Sequence, residues 1–210
     1  MNSSQQSTMT TAPSPSPSPS EASRYEFRIF GDDCHAVAER IERKAVKQGE
    51  DRSADRYILA AAVDDQNCKI REGHIEVKAL VAETANLEQW RPTLDQPFPV
   101  PAAWLRGQLF PTLKKRPPSL PRDAYTENQF LEEVVMSHPR LSTVLVIKHR
   151  MLFTHNDCRL EVCALHIAER LPTWTIALEA AEVALVQETQ LELGLQNYAN
   201  TNYIQMLKQL

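Results

Sequence analysis

The sequence lacks any long apolar run. No stretch approaches the roughly 18 residues that a membrane-spanning helix needs, and the opening MNSSQQSTMTTAPSPSPSPS has neither the basic region nor the apolar segment of a secretory leader. It also lacks an excess of positive charge. With 23 Lys and Arg against 27 Asp and Glu, the formal charge is -4, which does not suit a general nucleic-acid binder and requires any anion site to be a local concentration of cations. Cysteine is sparse: Cys34, Cys68, Cys158 and Cys163 form neither a CxxC nor a dense framework, as expected of reduced thiols in a cytosolic fold. Together these absences predict a cytoplasmic protein without a membrane partner, a monomer or homodimer. One metal-like spacing, His155-x-x-Cys158 with Cys163-x-x-His166, straddles a turn and a strand, where alternation sends its side chains to different faces.

What is present is enough for one substantial core: 210 residues, 42% of them hydrophobic. Residues 1–23 are Ser, Thr, Gln and Pro, a composition that buries too little surface to fold, so a disordered tail is expected. The folded region is predicted to run from Arg24 to Leu210. It opens on RYEFRIF, a strand with Arg24, Glu26 and Arg28 on one face and Tyr25, Phe27 and Ile29 on the other. An amphipathic helix follows, N-capped at Asp32 or Asp33, with Val37, Ala38, Ile41 and Ala45 as its buried stripe. Next comes a strand over Asp55 to Val63.

NCKIREGHIEVKAL, residues 67–80, alternates charge with apolar bulk around Glu72-Gly73, the pattern of a β-hairpin whose polar face carries Lys69, Arg71, Glu76 and Lys78. Residues 84 to about 123 hold eight of the 14 prolines, around Trp90, Phe98, Trp104 and Phe110. So many prolines argue against a central strand and predict an ordered insertion of short helical turns packed by aromatics. Thr126 and Gln129 stand in capping-box positions before a helix. Alternating strands then return: Thr143 to Phe153 with Lys148 and Arg150 on one face, a partner strand with Arg159 and Glu161 joined to it by a turn at His155 to Asp157, and Thr173 to Glu179. A last helix, Ala181 to Leu193, is predicted to stop at Gly194.

A single charged stripe is most simply the wet face of a sheet. Here strand after strand repeats it: Glu26 with Arg28, Lys69 with Arg71, Glu76 with Lys78, Lys148 with Arg150. A barrel with helices outside and Arg, Lys and Glu inside produces this pattern, because closing a sheet encloses one of its faces. Such an interior suits polyphosphate: Arg and Lys neutralise closely spaced negative charges, and carboxylates gathered at one end would hold Mg²⁺ or Mn²⁺.

On these residues the chain resembles the CYTH-domain superfamily of triphosphate tunnel metalloenzymes, which includes class IV adenylyl cyclases, thiamine triphosphatases and inorganic triphosphatases. The family's opening Glu-x-Glu-x-Lys is matched by Arg24-x-Glu26-x-Arg28, its basic strands by Lys69-x-Arg71, Lys78 and Lys148-x-Arg150, and its acidic strands by Glu161 and Ala177-x-Glu179. NTNYIQMLK is similar to its closing segment. The resemblance implies an α+β fold, a closed antiparallel eight-stranded β-barrel with helices packed outside. It implies that Arg28, Lys69, Arg71, Lys78, Lys148 and Arg150 bind the triphosphate, and that Glu26, Glu161 and Glu179 are catalytic and hold the metal. Arg24 and Ala177 replace two family carboxylates. Two functions follow, a metal-dependent triphosphatase and a polyphosphate- or nucleotide-binding protein without turnover, with class IV-type cyclase activity a third.

Overall fold

The computed structural model describes residues 24–168, 170 and 172–210; the expected Ser/Pro tail lies outside them. Eight strands close into an antiparallel barrel: β1 (Arg24–Phe30), β2 (Val46–Ala60), β3 (Gln66–Arg71), β4 (His74–Thr84), β5 (Leu87–Pro97), β6 (Leu141–His155), β7 (Cys158–Ile167) and β8 (Thr173–Ala180). Their order around the barrel is β1-β8-β7-β6-β2-β3-β4-β5, and β1 closes the ring by pairing with both β8 and β5. Helices α1 (Cys34–Lys44), α2 (Val183–Glu192) and α3 (Tyr203–Lys208) accompany it, with further helical segments at Ala102–Trp104, Leu105–Leu109, Phe110–Thr112, Glu127–Gln129 and Phe130–Val135.

Period-two alternation gives the barrel an apolar outside and a mixed inside. Outward-facing Phe27, Ile29, Leu160, Val162, Ile176 and Leu178 pack on Val37 and Ile41 of α1 and Val186 of α2. On the opposite wall, Cys68, Ile70, Ile75 and Val77 are covered by Leu105, Leu109, Phe110, Tyr125, Phe130 and Val134. A third apolar cluster lies within the barrel wall. Tyr57, Leu59, Val146, Leu165 and Ile167 enclose Tyr203, Ile204 and Leu207 of α3, so this short helix closes one end of the tunnel. Asn202 caps it reciprocally with Gln205, and Lys208 donates to the Val63 carbonyl at 2.7 Å.

Several local readings hold. Thr126 and Gln129 form the capping box, and Asn156 and Asp157 take φ of 47° and 60° in the tight turn between β6 and β7. Gly194, at φ +70°, ends α2 in a Schellman arrangement, with Gly194 N donating to Leu191 O and Leu195 N to Gln190 O.

Two readings need correction. β2 begins at Val46 rather than Asp55, because Ala45 turns extended after α1 and the next fifteen residues pair along β6 from Val46↔Thr154 to Ala60↔Leu141. Cross-strand pairing there outweighs a weak local preference. The expected insertion over 84–123 is also shorter. β4 continues to Thr84, and Leu87–Pro97 is barrel strand β5 despite Pro92 and Pro97. β1 pairs with β5 only from Glu26↔Glu88 to Arg24↔Trp90, so beyond Trp90 one edge of β5 has no partner strand and a proline there removes no ladder bond. Short helical turns do follow, at Ala102–Trp104, Leu105–Leu109 and Phe110–Thr112, with Phe98 and Trp104 packed beside them.

Candidate functional site: a charged tunnel closed at one end

The inward residues of β6 change character along the strand. Val144 and Val146 face α3, Lys148 and Arg150 come next, then Leu152. The other strands contribute charges at the level of Lys148 and Arg150. All nine residues singled out from the sequence, Glu26, Arg28, Lys69, Arg71, Lys78, Lys148, Arg150, Glu161 and Glu179, line one cavity of about 110 Å³, and Glu76 lines it too. Glu182, which caps α2, is exposed outside it.

Five of the six cations are already paired. Arg71 forks onto Asp55 at 2.7 and 2.6 Å, and Lys148 reaches the same carboxylate at 2.8 Å and Tyr57 Oη at 2.8 Å. Arg150 forks onto Asp51 at 2.6 and 2.9 Å, and Lys69 meets Glu76 at 3.1 Å. Arg28 donates to Glu26 at 2.7 Å and to Glu161 at 2.9 Å. Lys78 is the one of the six that forms no ion pair among the described residues.

The carboxylates fall into two kinds. Burial alone would raise the Asp55 carboxyl, but the Arg71 hydrogen bonds and the charges of Lys148 and Lys69 outweigh it and hold this group well below the usual range. Glu161, half-buried beside Arg28 and Lys148, is held low in the same way. Glu179 is pushed up, first by burial and then by the charge of Glu26, its direct partner across β1 and β8. Glu88 faces Glu26 from the other side and is raised chiefly by burial, although Trp90 Nε1 and Asn202 Nδ2 donate to it at 3.0 and 2.8 Å. Glu26 is thus flanked by two acids that resist ionising. Among the described residues no three His, Cys, Asp or Glu side chains are gathered on one point as metal ligands: Arg28 draws Glu26 and Glu161 to itself. The His155/Cys158/Cys163/His166 spacing is likewise dispersed, with Cys158 in an outer cluster, Cys163 facing inward and His166 exposed.

Burial costs the cations too. Desolvation, reinforced by the neighbouring charge of Arg71, lowers the Lys69 ammonium to about 8, and desolvation lowers Lys148 as well. Two buried polar atoms of residues lining the cavity, the Tyr203 hydroxyl and Asn67 Oδ1, have no hydrogen-bond partner among the described residues. Tyr203 lies beneath the cations, with the Lys148 ammonium 3.9 Å and the Arg28 guanidinium 4.8 Å from its ring centre.

Sequence reading missed Asn67 and Asn202 as lining residues, and Asp51, Asp55 and Glu88 as partners of lining side chains, and it took Trp90 chiefly as packing. Alternation through Asp51, Ser53, Asp55 and Tyr57 was the available signal for the two aspartates.

This closed eight-stranded antiparallel barrel, lined by paired Arg, Lys and Glu, is a fold of the CYTH or triphosphate tunnel type. No family model matches the sequence, and no curated protein is similar to it in sequence. Solved structures are similar. The PH1012 protein of Pyrococcus horikoshii aligns at 15% identity over 86% of this chain and 97% of its own, with a TM-score of 0.51. A conserved hypothetical protein of Pyrococcus furiosus gives 12%, 86%, 98% and 0.50. A candidate adenylate cyclase of Bacillus halodurans gives 10%, 88%, 98% and 0.46. At such identities the likeness is one of fold. No helix is long and apolar enough to cross a membrane among the described residues.

Proposed function

We propose that the tunnel binds the triphosphate of an organic or inorganic ligand and, with Mg²⁺ or Mn²⁺, hydrolyses its terminal phosphoanhydride. The observation that carries this reading is the convergence of six cations from four strands on one cavity that is also lined by Glu26, Glu161 and Glu179. Core packing gives no reason to gather these groups, since each buried charge costs several kcal/mol unless it is paired; an anionic ligand does.

Arg28 is central to the reading. In turning from Glu26 and Glu161 to a phosphate oxygen, it would free both carboxylates at the moment the anion arrives. Arg71 and Lys148, now held by Asp55, and Arg150, now held by Asp51, would likewise exchange a carboxylate for phosphate oxygens, keeping their charge-assisted hydrogen bonds. Hard oxygen donors suit Mg²⁺ or Mn²⁺, and the raised Glu179 beside Glu26 is a pair that a cation would relieve. Glu26, Glu161 and Glu179 would hold the ion, whose contribution is to neutralise charge and order the attacking water.

A second reading, binding without turnover, is favoured by one observation: Ala177 and Arg24 stand where two further carboxylates would complete the acidic wall. Phosphate release from inorganic triphosphate and from ATP with Mg²⁺ or Mn²⁺, beside Glu161→Gln, separates the two. Metal-dependent release lost in Glu161→Gln supports hydrolysis, and cyclic nucleotide with pyrophosphate as products would indicate cyclisation. Triphosphate binding without any product leaves the binding reading. No binding in wild type overturns the tunnel as an anion site.

A further inference from the structure

One side chain of the charged cavity has a chemistry that neither anion binding nor hydrolysis uses. Lys69 is a primary amine, 8% exposed, that points from β3 into the cavity. Its neighbours come from every adjoining strand. Tyr57 stands opposite it on β2 with Asp55 nearby, Arg71 lies two residues further along β3, Glu76 stands opposite it on β4 with Lys78 one inward position away, and Lys148 reaches in from β6.

The pairing among these groups is uneven. Asp55 serves both Arg71 and Lys148, Glu76 answers Lys69 at 3.1 Å, and Lys78 forms no ion pair among the described residues. With Lys69 charged, four cations therefore face two carboxylates. Lys69 is the one of the four best placed to give up its charge: Arg71 does not lose its proton, Lys148 is held by Asp55 and by Tyr57 Oη, each at 2.8 Å, and Lys78 is exposed. Desolvation and the charge of Arg71 hold the Lys69 ammonium at about 8, so a share of the amine is uncharged and nucleophilic near neutral pH.

We propose that Lys69 is a carbamylation site, its amine adding carbon dioxide to become an N-carboxylate held by Arg71, Lys148 and Lys78. The nitrogen lone pair forms the new N–C bond, one C=O π pair moves onto oxygen, and the nitrogen releases one proton, first to Glu76 and then to water. No oxidant or reductant takes part. The product carries one negative charge, so three cations then face three carboxylates, and a buried ammonium with one partner is exchanged for an anion with several. The cavity of about 110 Å³ joins a wider space of about 320 Å³ at Arg150, Glu161 and Glu179, which gives a small neutral molecule a path from the tunnel mouth near the β6–β7 turn. On the reading that the tunnel grips a triphosphate, the new carboxylate occupies the cations that phosphate oxygens need, and carbon dioxide becomes a reversible brake on binding.

The test exposes the full chain to ¹³C-labelled carbon dioxide and bicarbonate at fixed pH values between 7 and 9, traps carbamates by O-alkylation with triethyloxonium ion and maps them by mass spectrometry. Label should appear on Lys69, rise as the pH passes about 8, and be lost in Lys69→Arg; melting curves check that each variant is folded. Lys78→Ala should lower the labelled fraction about two- to fivefold, the effect of losing one partly exposed charge pair. Saturating inorganic triphosphate should remove the label, and carbon dioxide at constant pH and ionic strength should weaken triphosphate binding measured by calorimetry. No label on Lys69 across this pH range, in a chain that binds triphosphate, overturns the inference and leaves the anion site standing. Label on Lys69 in a chain that binds no triphosphate upholds the carbamate and overturns the anion reading. Label that persists under bound triphosphate overturns the brake.

Discussion

Near α3 the inward side chains of β6 and β7 are Val146, Leu165 and Ile167, whereas nearer the β6–β7 turn the same two strands turn Lys148, Arg150, Glu161 and Arg159 inward. The backbone pairing is continuous through both halves, so the difference lies in the side chains. Toward the floor, α3 supplies apolar partners, and burial stabilises at about 25 cal/mol per Å². Toward the mouth, no element inserts among the described residues, and charges removed from water are tolerated only through mutual pairing. One half is therefore a core that holds the ring together, and the other is a site kept soluble by its own ion pairs. The division predicts that floor residues affect folding whatever the ligand, while wall residues affect folding and anion binding in opposite senses.

The largest expected effect is at Asp55, which is fully buried and answers both Arg71 and Lys148. Asp55→Asn leaves two cations without their carboxylate and should cost about 3–5 kcal/mol in urea unfolding. Added triphosphate should restore more stability to this variant than to wild type, because the orphaned cations take the anion. The pH dependence has a definite sign. The folded carboxyl lies below its unfolded value of about 3.9, so its contribution is present above that pH and lost as pH falls below it; the variant should show a flatter acid limb. Ile204→Ala on the floor, at about 2–5 kcal/mol, is the contrasting case. Its deficit should be the same with and without triphosphate, and a ligand-dependent deficit would break the division.

Much of this contrast could be read in the chain. Lys69, Arg71, Glu76 and Lys78 alternate with apolar residues about a turn, and Lys148 and Arg150 do the same, so strand identity and inward face were both legible from period two. The acidic wall was only half legible. Asp55 opened the expected strand, but Asp51 lies on the part of β2 before it, where the only local signal is the alternation through Asp51, Ser53 and Asp55 and the strand is held by pairing with β6, Asp51 opposite Arg150. Glu88 and Trp90 were hidden for a related reason. The prolines that follow them speak against a strand, and only the early end of β1 makes those prolines harmless. Tyr203 lies in the segment NTNYIQMLK that the sequence set apart, but that its buried hydroxyl has no partner among the described residues depends on how α3 docks.

A smaller effect on folding, and a large one on binding, is expected at Lys69. Its ammonium is held at about 8, below the unfolded value of about 10.4, so its charged form destabilises the fold at neutral pH and that handicap fades as pH rises from about 8 toward 10.4. Lys69→Met should therefore change unfolding by no more than about 1 kcal/mol, while weakening triphosphate binding by about 10- to 150-fold, the loss of a hydrogen bond from a charged donor at roughly 1.5–3 kcal/mol. Wild-type affinity should fall as pH rises above 8, since the free tunnel loses the proton that the bound anion requires. Lys69→Arg, which stays charged, should flatten that fall; an equally steep fall in Lys69→Arg would move the titration to another group.

Tyr203 joins the two halves, with its ring in the floor cluster and its hydroxyl among the residues of the charged cavity, and it carries the smallest expected effect. Because the hydroxyl is buried without a partner among the described residues, Tyr203→Phe removes no hydrogen bond within the described part of the ligand-free protein and should leave its stability unchanged or raise it by up to about 1 kcal/mol. If the innermost phosphate oxygen accepts that hydroxyl proton, the variant should bind triphosphate about two- to twelvefold more weakly, the equivalent of one neutral hydrogen bond at about 0.5–1.5 kcal/mol. The two readouts must move apart for the floor to be part of the site. Parallel changes in stability and affinity would make Tyr203 a packing residue, and unchanged affinity would place the inner end of the ligand short of the floor, nearer Lys148 and Arg150.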